Sequence, residues 1–392
     1  MHIAILAPIS SEHIKKIFRI KKNIKLPKGH GYSIIPYIAL GLIKLKCRIT
    51  LISLSFDIKQ NKSFKINKNL DIIFCPIRKH SFKIINFKLG RGLDFFKKEI
   101  KNLVKAINSV NPDIINAHWT YEYAIAAIKS KRKHLITVRD VSTKILKIHF
   151  SLYKLVRLLM DFYVFFKGRC FIANSNYTKK ENIFSSKIKY VVHNCLPSYL
   201  IKKKLKKKNK NNEIITISSG GIGKRKNIEN AILAFNKIKF DNKDIILKLV
   251  GSKLGKNESY YKSLIKKKID IRKIKFLGKL SHTETISEIK KSYILLHPSK
   301  EESFGNIYLE AMMCGTPIIA GISSGATSEV IKKNGLLIDI NNINQITNAI
   351  TKYLKNKAYY NSIRSAAFEY VYRNFNYMKI SKQYLSIFEK IR

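Results

Sequence analysis

The chain alternates short apolar runs with longer segments in which apolar residues recur at helical spacing. In the first half, the runs that predict strands are 1–8, 48–53, 71–75, 113–117, 134–138, 170–173 and 189–192. In the second half they are 213–218, 244–250, 274–277, 293–297, 316–320 and 336–338. Short buried strands separated by helices predict parallel sheets covered on both faces. The predicted fold class is therefore α/β, with two doubly wound, Rossmann-like parallel-sheet lobes.

A lysine-rich stretch separates the two halves. Residues 201–212, IKKKLKKKNKNN, are too charged and too repetitive to bury a core. They predict a linker between an N-terminal domain at 1–200 and a C-terminal domain at 213–370. The helical pattern of 359–392 continues beyond that domain, and we expect 371–392 to pack back on the N-terminal lobe. Because open α/β sheets bind ligands beyond the carboxyl ends of their strands, we expect a site in a central cleft that the lobes face.

The charge of the chain is strongly unbalanced. Its 392 residues include 76 Lys plus Arg but 25 Asp plus Glu, a formal net charge of +51. Compositional drift towards Lys, Ile and Asn codons, an anionic membrane or substrate, and nucleic acid are the three explanations. No nucleic-acid-binding signature is present, so a nucleic-acid partner is not expected. The basic, aromatic stretch 149–167 could lie on an anionic membrane surface or form a core helix of the first lobe.

Five scattered cysteines, none spaced C-x-x-C, predict neither a disulfide framework nor a zinc site. The apolar start of the chain lacks the basic leader and the cleavage site of a secretory signal. No apolar run approaches the roughly 20 residues that span a bilayer. We therefore expect a cytoplasmic protein, with peripheral attachment to the inner face of the cytoplasmic membrane as a second expectation.

The most informative chemistry lies in 297–317, HPSKEESFGNIYLEAMMCGTP. A strand ends at His297, and a loop through Glu302 and Gly305 leads into a helix. The amides at such a helix N-terminus suit a phosphate, so an anionic ligand is expected at 303–307. Glu302 and Glu310 would be roughly 12 Å apart on a helical rise. That is too far for a glycosidase pair, which flanks one bond at about 5–9.5 Å. Taken alone, they could equally be a helix cap and a surface residue.

Residues 302–312, ESFGNIYLEAM, resemble the signature of family-four retaining glycosyltransferases of the GT-B fold (glycosyltransferase group 1). Similar residues recur at 173–175, 194, 249–251, 276–278, 325–330 and 334–337, so the resemblance extends over nearly the whole chain. It implies that the first lobe binds the acceptor and the second the nucleotide sugar.

The resemblance also implies roles for residues of the second lobe. Glu310 would bind the ribose hydroxyls, and Glu302 would contact the transferred sugar as a catalytic residue. The donor-binding segment would comprise Ser303 and the backbone amides of Phe304, Gly305 and Asn306. Glu329 is a weaker candidate that could instead cap its helix.

The glycine-rich segment 218–227 lies between a strand and a helix. It is not a P-loop, because Arg225 stands where Ser or Thr must reach Mg²⁺. In the family this loop supplies an Arg and a Lys to the diphosphate. Lys226 matches the Lys, which makes it a catalytic candidate, although it could be one lysine among many; Gly221 occupies the Arg position. Lys224 or Arg225 could replace the missing contact.

In the first lobe, the strand at 113–117 leads to His118 and the only tryptophan, Trp119. The family has a similar His near the donor sugar, which makes His118 a catalytic candidate, although a lone His is usually structural. Arg139, after the next strand, could meet an anionic acceptor or lie on the surface. Gly29 and Gly31 resemble the family's glycine loop, where the backbone closely approaches the diphosphate.

The resemblance implies a retaining hexosyltransferase that uses a nucleotide-diphosphate sugar and has no cofactor and no obligatory metal. The sequence also lacks the Asp-x-Asp motif of metal-dependent transferases. The expected acceptor is a saccharide or lipid-linked saccharide in bacterial surface polysaccharide, lipopolysaccharide or lipid-linked oligosaccharide assembly. A sugar-nucleotide epimerase of the same fold is the alternative, and a basic nucleic-acid-binding protein is the third option.

Overall fold

A computed structural model describes the chain except residues 30, 32–33, 85–88, 149, 202–203, 206–212, 219–224 and 239–244. The chain divides into two compact units. Unit 1 comprises 1–198 together with 376–392, and unit 2 comprises 199–375. Most of the lysine-rich stretch predicted as a linker lies outside the described residues. No helix within the described ranges is long and apolar enough to cross a bilayer.

Unit 1 contains an eight-stranded sheet of order β3-β4-β2-β1-β5-β6-β7-β8. Its strands are β1 His2–Leu6, β2 Arg48–Ser55, β3 Lys62–Asn67, β4 Leu70–Pro76, β5 Ile114–His118, β6 His134–Val138, β7 Phe171–Ala173 and β8 Ile188–Val191. Its helices up to residue 180 are α1 Ser11–Ile17, α2 Ile34–Lys44, α3 Lys97–Val110, α4 Glu122–Lys129, α5 Ser142–Ile148, α6 Leu152–Lys167 and α7 Asn176–Lys180. Every pairing is parallel except that of β3 with β4. The sheet therefore departs from the purely parallel prediction at one edge.

Unit 2 contains a six-stranded, parallel sheet of order β11-β10-β9-β12-β13-β14. Its strands are β9 Glu213–Ser218, β10 Ile246–Gly251, β11 Ile274–Gly278, β12 Ile294–His297, β13 Ile318–Gly321 and β14 Leu336–Ile338. Its helices are α8 Ile228–Asn236, α9 Ser259–Lys266, α10 His282–Lys291, α11 Asn306–Met313, α12 Thr327–Ile331, α13 Ile343–Lys355 and α14 Lys357–Asn374.

Both sheets contain a topological switch point. In unit 1 the chain runs from β1 to β2 on one side and later starts the other side at β5, so β1 and β5 are neighbours. In unit 2, β9 and β12 are neighbours for the same reason. Loops that leave two such strands diverge, which opens a crevice at the carboxyl edge of the sheet. The candidate residues of both units lie at these two edges.

The segment predicted as one helix at 359–392 is two helices. α14 ends at Asn374, and α15 Tyr377–Ile391 begins after Asn376, whose side chain accepts a hydrogen bond from the Met378 amide (2.8 Å). The boundary predicted after residue 370 falls inside α14. α15 packs against α2, where the Ser381 hydroxyl donates to the Ile38 carbonyl (3.1 Å). A side chain at Gly41 would place its Cβ 2.1 Å from Ser381 Oγ, so close packing of the two helices requires glycine there.

Helix α6 combines the two alternatives left open for 149–167. One face is buried in the core of unit 1 through Val156, Met160, Val164 and Phe165. The opposite face, named here the outer face of α6, exposes Leu152, Leu159, Tyr163 and Phe166, with Phe150 exposed just before the helix. Leu152, Leu159, Tyr163 and Phe166 share one side of the helix because they are spaced by about two turns, one turn and one turn.

Candidate active site

The loop after β12 is held by the segment that precedes α8. The Lys300 amide donates to the Arg225 carbonyl (2.7 Å), and Arg225 Nη1 donates to the Glu301 carbonyl (3.0 Å). Arg225 also pairs with the Glu301 carboxylate at 3.5 Å. Arg225, predicted to bind the donor, is thus placed as a support of this loop. Gly221 and Lys224 lie outside the described residues.

Three side chains meet at the switch point of unit 2. Lys226 Nζ donates to Glu302 Oε1 (2.5 Å), and His297 Nε2 lies 3.1 Å from the same oxygen. The exposed fraction of the side chain is 5% for Lys226, 4% for His297 and 14% for Glu302. The structure therefore brings together two predicted catalytic residues, Lys226 and Glu302, and adds His297.

The electrostatics of this cluster fix its protonation. Burial alone would raise the pKa of Glu302, but the charge of Lys226 and the hydrogen bond from His297 outweigh it and hold that pKa well below its usual value. Burial lowers the pKa of His297, and the charge of Lys226 acts in the same direction. At neutral pH, Glu302 is therefore an ionised hydrogen-bond acceptor beside a neutral imidazole.

Gly305 connects the cluster to α11. Its φ is +81°, and a Cβ there would lie 2.3 Å from the Tyr308 ring, so both backbone and space require glycine. Phe304 is buried and packs edge-on against Phe375, with the two ring centres 6.0 Å apart. Asn306 then begins α11, whose positive dipole end faces the loop that carries Ser303.

A second glycine, Gly325, packs against the backbone of Glu302. Gly325 has a φ of +67°, and a Cβ there would lie 2.3 Å from the Glu302 carbonyl oxygen. The next amide, of Ala326, donates to that oxygen at 2.8 Å. Glu329 lies in the first turn of α12, consistent with the alternative that it stabilises its own helix.

Glu310 lies on the buried face of α11, apart from the Lys226 cluster along the helix. His282 Nε2 donates to Glu310 Oε1 at 2.7 Å, and Tyr199 OH donates to His282 Nδ1 at 3.2 Å. The hydrogen bonds orient the imidazole and the carboxylate together. The sequence did not identify His282 and Tyr199 as candidate site residues, because no local motif connects them with Glu310.

In unit 1, His118 ends β5 and is fully buried. Arg139 Nε donates to His118 Nδ1 (2.9 Å), and Arg139 Nη1 donates to Asn194 Oδ1 (2.6 Å). Arg139 is 5% exposed and lies 5.4 Å from the Trp119 ring centre. The alternative that Arg139 is a surface residue is therefore wrong, because its charge is held among polar partners and an aromatic ring. Burial, aided by Arg139, lowers the pKa of His118 well below its usual value.

The glycines after β1 are required by the chain itself. A Cβ at Gly29 would lie 2.1 Å from the Ile9 carbonyl oxygen, and one at Gly31 would lie 2.1 Å from that of Pro8. The Gly29 amide also donates to Ser11 Oγ at 2.8 Å. These contacts explain the glycines without a ligand, so their contact with a diphosphate stays a prediction.

The comparisons with known proteins agree with this architecture. Residues 201–370 match the family of glycosyl transferases group 1. An uncharacterized glycosyltransferase of Methanocaldococcus jannaschii is 26% identical over 385 residues, 96% of this chain and 87% of that protein. Sucrose-phosphate synthase of Thermosynechococcus elongatus superposes with a TM-score of 0.74 at 15% identity, covering 100% of this chain and 99% of the other. Anabaena HepE, solved in complex with UDP and glucose, superposes with a TM-score of 0.66 at 16% identity, covering 100% of both chains.

The two α/β units and these likenesses define a GT-B glycosyltransferase fold. The match to the group 1 glycosyltransferases lies within unit 2, and it includes the segment 302–312 that resembles this family. The predicted GT-B fold is confirmed, and the family match supports the predicted resemblance.

Proposed function

We propose that this glycosyltransferase moves a sugar from a nucleotide-diphosphate donor to an acceptor hydroxyl, with retention at the anomeric carbon. The observation that carries the proposal is the cluster of Lys226, Glu302 and His297 beside the N-terminus of α11. It combines a cation and a helix dipole, which suit phosphate, with an ionised carboxylate, which suits sugar hydroxyls.

The reaction makes definite demands on such a site. The bond from the anomeric carbon to the β-phosphate oxygen breaks, and the acceptor oxygen forms a new bond on the same face of the sugar. The proton of the acceptor hydroxyl leaves with the nucleoside diphosphate. Negative charge grows on the departing phosphate, so Lys226 and the amides at Gly305 and Asn306 would favour the transition state.

The nucleotide would lie near Glu310. The Glu310 carboxylate, oriented by His282, would accept hydrogen bonds from the two ribose hydroxyls. HepE, which has a similar fold, was solved with UDP, and that likeness supports a nucleotide donor here.

His118 is proposed to serve the same reaction from unit 1. Because Arg139 donates to Nδ1, the ring carries its proton on Nε2. That buried nitrogen has no hydrogen-bond partner among the residues the structure describes. It could donate to a sugar hydroxyl or to the phosphate.

We further propose that the enzyme needs no metal, since Lys226 and the α11 dipole would supply the positive charge that Mg²⁺ provides elsewhere. Activity should then persist in EDTA. Loss of activity in EDTA and its return with Mg²⁺ or Mn²⁺ would contradict this part of the proposal.

The proposed acceptor is a saccharide or lipid-linked saccharide of bacterial surface polysaccharide or lipopolysaccharide assembly, reached at the cytoplasmic face of an anionic membrane. The net charge of +51 and the outer face of α6 support a peripheral membrane contact. Lys147 and Lys167, both exposed, add charge at the two ends of that region.

Liposome sedimentation tests the membrane contact. Binding should require anionic lipid, weaken as salt rises, and fall in Phe166→Asp. Ile322→Asp, which changes an equally apolar exposed residue in unit 2, is the matched control. Equal binding of Phe166→Asp and the control would show that α6 is not the contact.

A screen of UDP-, GDP-, ADP- and dTDP-sugars tests the reaction. One donor should stabilise the protein against heat and be consumed with an acceptor. The anomeric configuration of the product, measured by NMR, should equal that of the donor. Inversion would refute the retaining mechanism, and conversion of the sugar without an acceptor would identify the epimerase alternative.

A further inference from the structure

Unit 1 contains a pocket of about 390 Å³ that the proposed catalytic residues do not use. It lies at the carboxyl edge of the unit 1 sheet, because Pro8, Leu54, Ile77 and Trp119 follow or end the strands β1, β2, β4 and β5. Its size lies within the range of small-molecule sites, roughly 300–1,000 Å³. Its position at the switch point is where open α/β sheets bind ligands.

The lining of this pocket is mainly apolar and aromatic, and its charged and hydroxyl-bearing members besides the tyrosines are Glu122, Asp140, Ser142, Lys154 and Arg157. Its larger apolar side chains are Leu54, Phe56, Ile77, Trp119, Tyr121 and Ile145, together with the ring of Tyr153. Flat rings and aliphatic side chains make favourable contacts with apolar groups and offer few partners to hydroxyls.

The charge of Arg157, which also lines the pocket, is already satisfied. Its Nη1 pairs with Glu122, and its Nη2 donates to the Tyr153 hydroxyl at 2.5 Å. Its guanidinium lies 4.4 Å from the Tyr121 ring centre and 4.7 Å from that of Phe96. A ligand in the pocket would therefore have to displace Glu122 or Tyr153 to form a hydrogen bond with these Arg157 nitrogens.

The hydroxyl of Ser142 is likewise bonded inside the protein, because it donates to Asp161 Oδ2 at 2.5 Å. A sugar ring placed here would compete with Glu122, Asp161 and Tyr153 for these partners, and any hydroxyl left without one would be penalised. An apolar group needs none of them.

We propose that this pocket binds an apolar aglycone, an aliphatic or aromatic group that the acceptor carries beside the hydroxyl to be glycosylated. The inference rests on the proposed function, since it specifies the acceptor. It excludes a free, fully hydroxylated sugar as the occupant of this pocket.

Trp119 makes the pocket directly observable, because it lines the pocket and is the only tryptophan in the chain. We would titrate the full chain with n-octyl β-D-glucoside below its micellar concentration, with phenyl β-D-glucoside, and with glucose. Tryptophan emission should shift in a saturable way with one or both glucosides. Glucose should give no saturable shift.

Two substitutions of Ile145 locate the binding. Ile145→Asp places a carboxylate in the pocket and should weaken glucoside binding about tenfold or more, since an apolar ligand cannot solvate that charge. Ile145→Phe fills the same space without charge and keeps the test informative if the first variant folds poorly. Ile183→Asp, an exposed apolar position of unit 1 outside the pocket lining, should bind like wild type.

The outcomes separate this inference from the proposed function. Equal responses to glucose and octyl glucoside, or unchanged glucoside binding in both Ile145 variants, would overturn the apolar-aglycone assignment. Thermal stabilisation by nucleotide diphosphates is measured in parallel. If nucleotides stabilise the protein and no glucoside shifts Trp119, the inference fails alone. If glucosides bind and nucleotides do not, the pocket stands as an apolar binding site and the proposed donor is wrong.

Discussion

The carboxyl edges of the two sheets follow the same plan but carry opposite chemistry. Each has a switch point beside its first strand, β1 with β5 and β9 with β12. The unit 2 edge concentrates ionised and polar groups around Glu302. The unit 1 edge offers a pocket lined mainly by aromatic and aliphatic side chains, beside the buried Arg139 and the paired Arg157. The sheets supply only the position, and the loops decide whether a polar or an apolar ligand is bound.

The largest effect should come from the charged edge. Lys226→Ala removes the cation that Glu302 faces and the proposed partner of the leaving phosphate, so we expect kcat to fall about 10²- to 10³-fold. Turnover of the donor identified in the screen measures this. Lys300→Ala is the matched control, because Lys300 is exposed in the neighbouring loop. Wild-type turnover in Lys226→Ala would show that Lys226 does not stabilise the leaving phosphate, and the proposed contrast between the two edges would fail.

The next largest effect concerns His118. We expect His118→Ala to reduce kcat about 10- to 100-fold, since the proposed Nε2 donor is lost. His118→Gln should keep the fold through a hydrogen bond with Arg139. Steady-state kinetics beside thermal unfolding separate the two roles. A loss of thermal stability with unchanged kcat would make His118 a structural residue and the unit 1 edge a binding surface without catalysis.

A smaller effect is expected at Glu310. Glu310→Ala should weaken binding of the nucleoside diphosphate about tenfold, the effect of losing hydrogen bonds to a charged acceptor. Calorimetric titration measures the affinity. Glu329→Ala is the control, since Glu329 lies in the first turn of α12. Should both variants bind alike, the nucleotide would have to lie elsewhere on this edge.

The smallest effect is a dependence of stability on pH. Because the pKa of Glu302 is lowered in the folded protein, its ionised form stabilises the fold above the unfolded pKa of about 4.3, and this stability is lost as the pH falls through the folded value. Wild type should therefore lose more stability than Glu302→Gln between pH 6 and pH 3, by at most about 1.8 kcal/mol, a limit set by the unfolded pKa. Urea unfolding at the two pH values measures this difference. Parallel losses would mean that Lys226 and His297 do not hold the carboxylate ionised.

Local sequence predicted the loop and helix of the charged edge because they are contiguous in the chain. The strand end at His297, the turn at Gly305 and the helix that ends at Met313 lie within seventeen residues. Partners distant in sequence escaped prediction. His282 and Tyr199 reach Glu310 only through the folding of unit 2, and nothing in their local sequence marks them.

The misses in the fold have similar causes. No strand was predicted at β3, which has a period of two, with Phe64 and Ile66 partly covered between exposed residues, but no continuous apolar run. Charged edge strands of this kind protect a sheet from further pairing. The break at 375–376 was missed because apolar spacing continues across it, although Asn376 supplies a cap. For Arg139 the sequence left two alternatives open, contact with an anionic acceptor or a surface position, because its partners His118 and Asn194 are distant in the chain.

The return of α15 to unit 1 sets an order for folding during synthesis. The partner surface on α2 includes Ile38 and Gly41, and it is completed only by residues 376–392. Unit 2, residues 199–375, leaves the ribosome in between, which takes roughly 10 to 35 seconds at ordinary rates of translation. Unit 2 is a continuous stretch that can finish folding first. Most of unit 1 is therefore synthesised before unit 2, but unit 1 is complete only after 376–392 have been added.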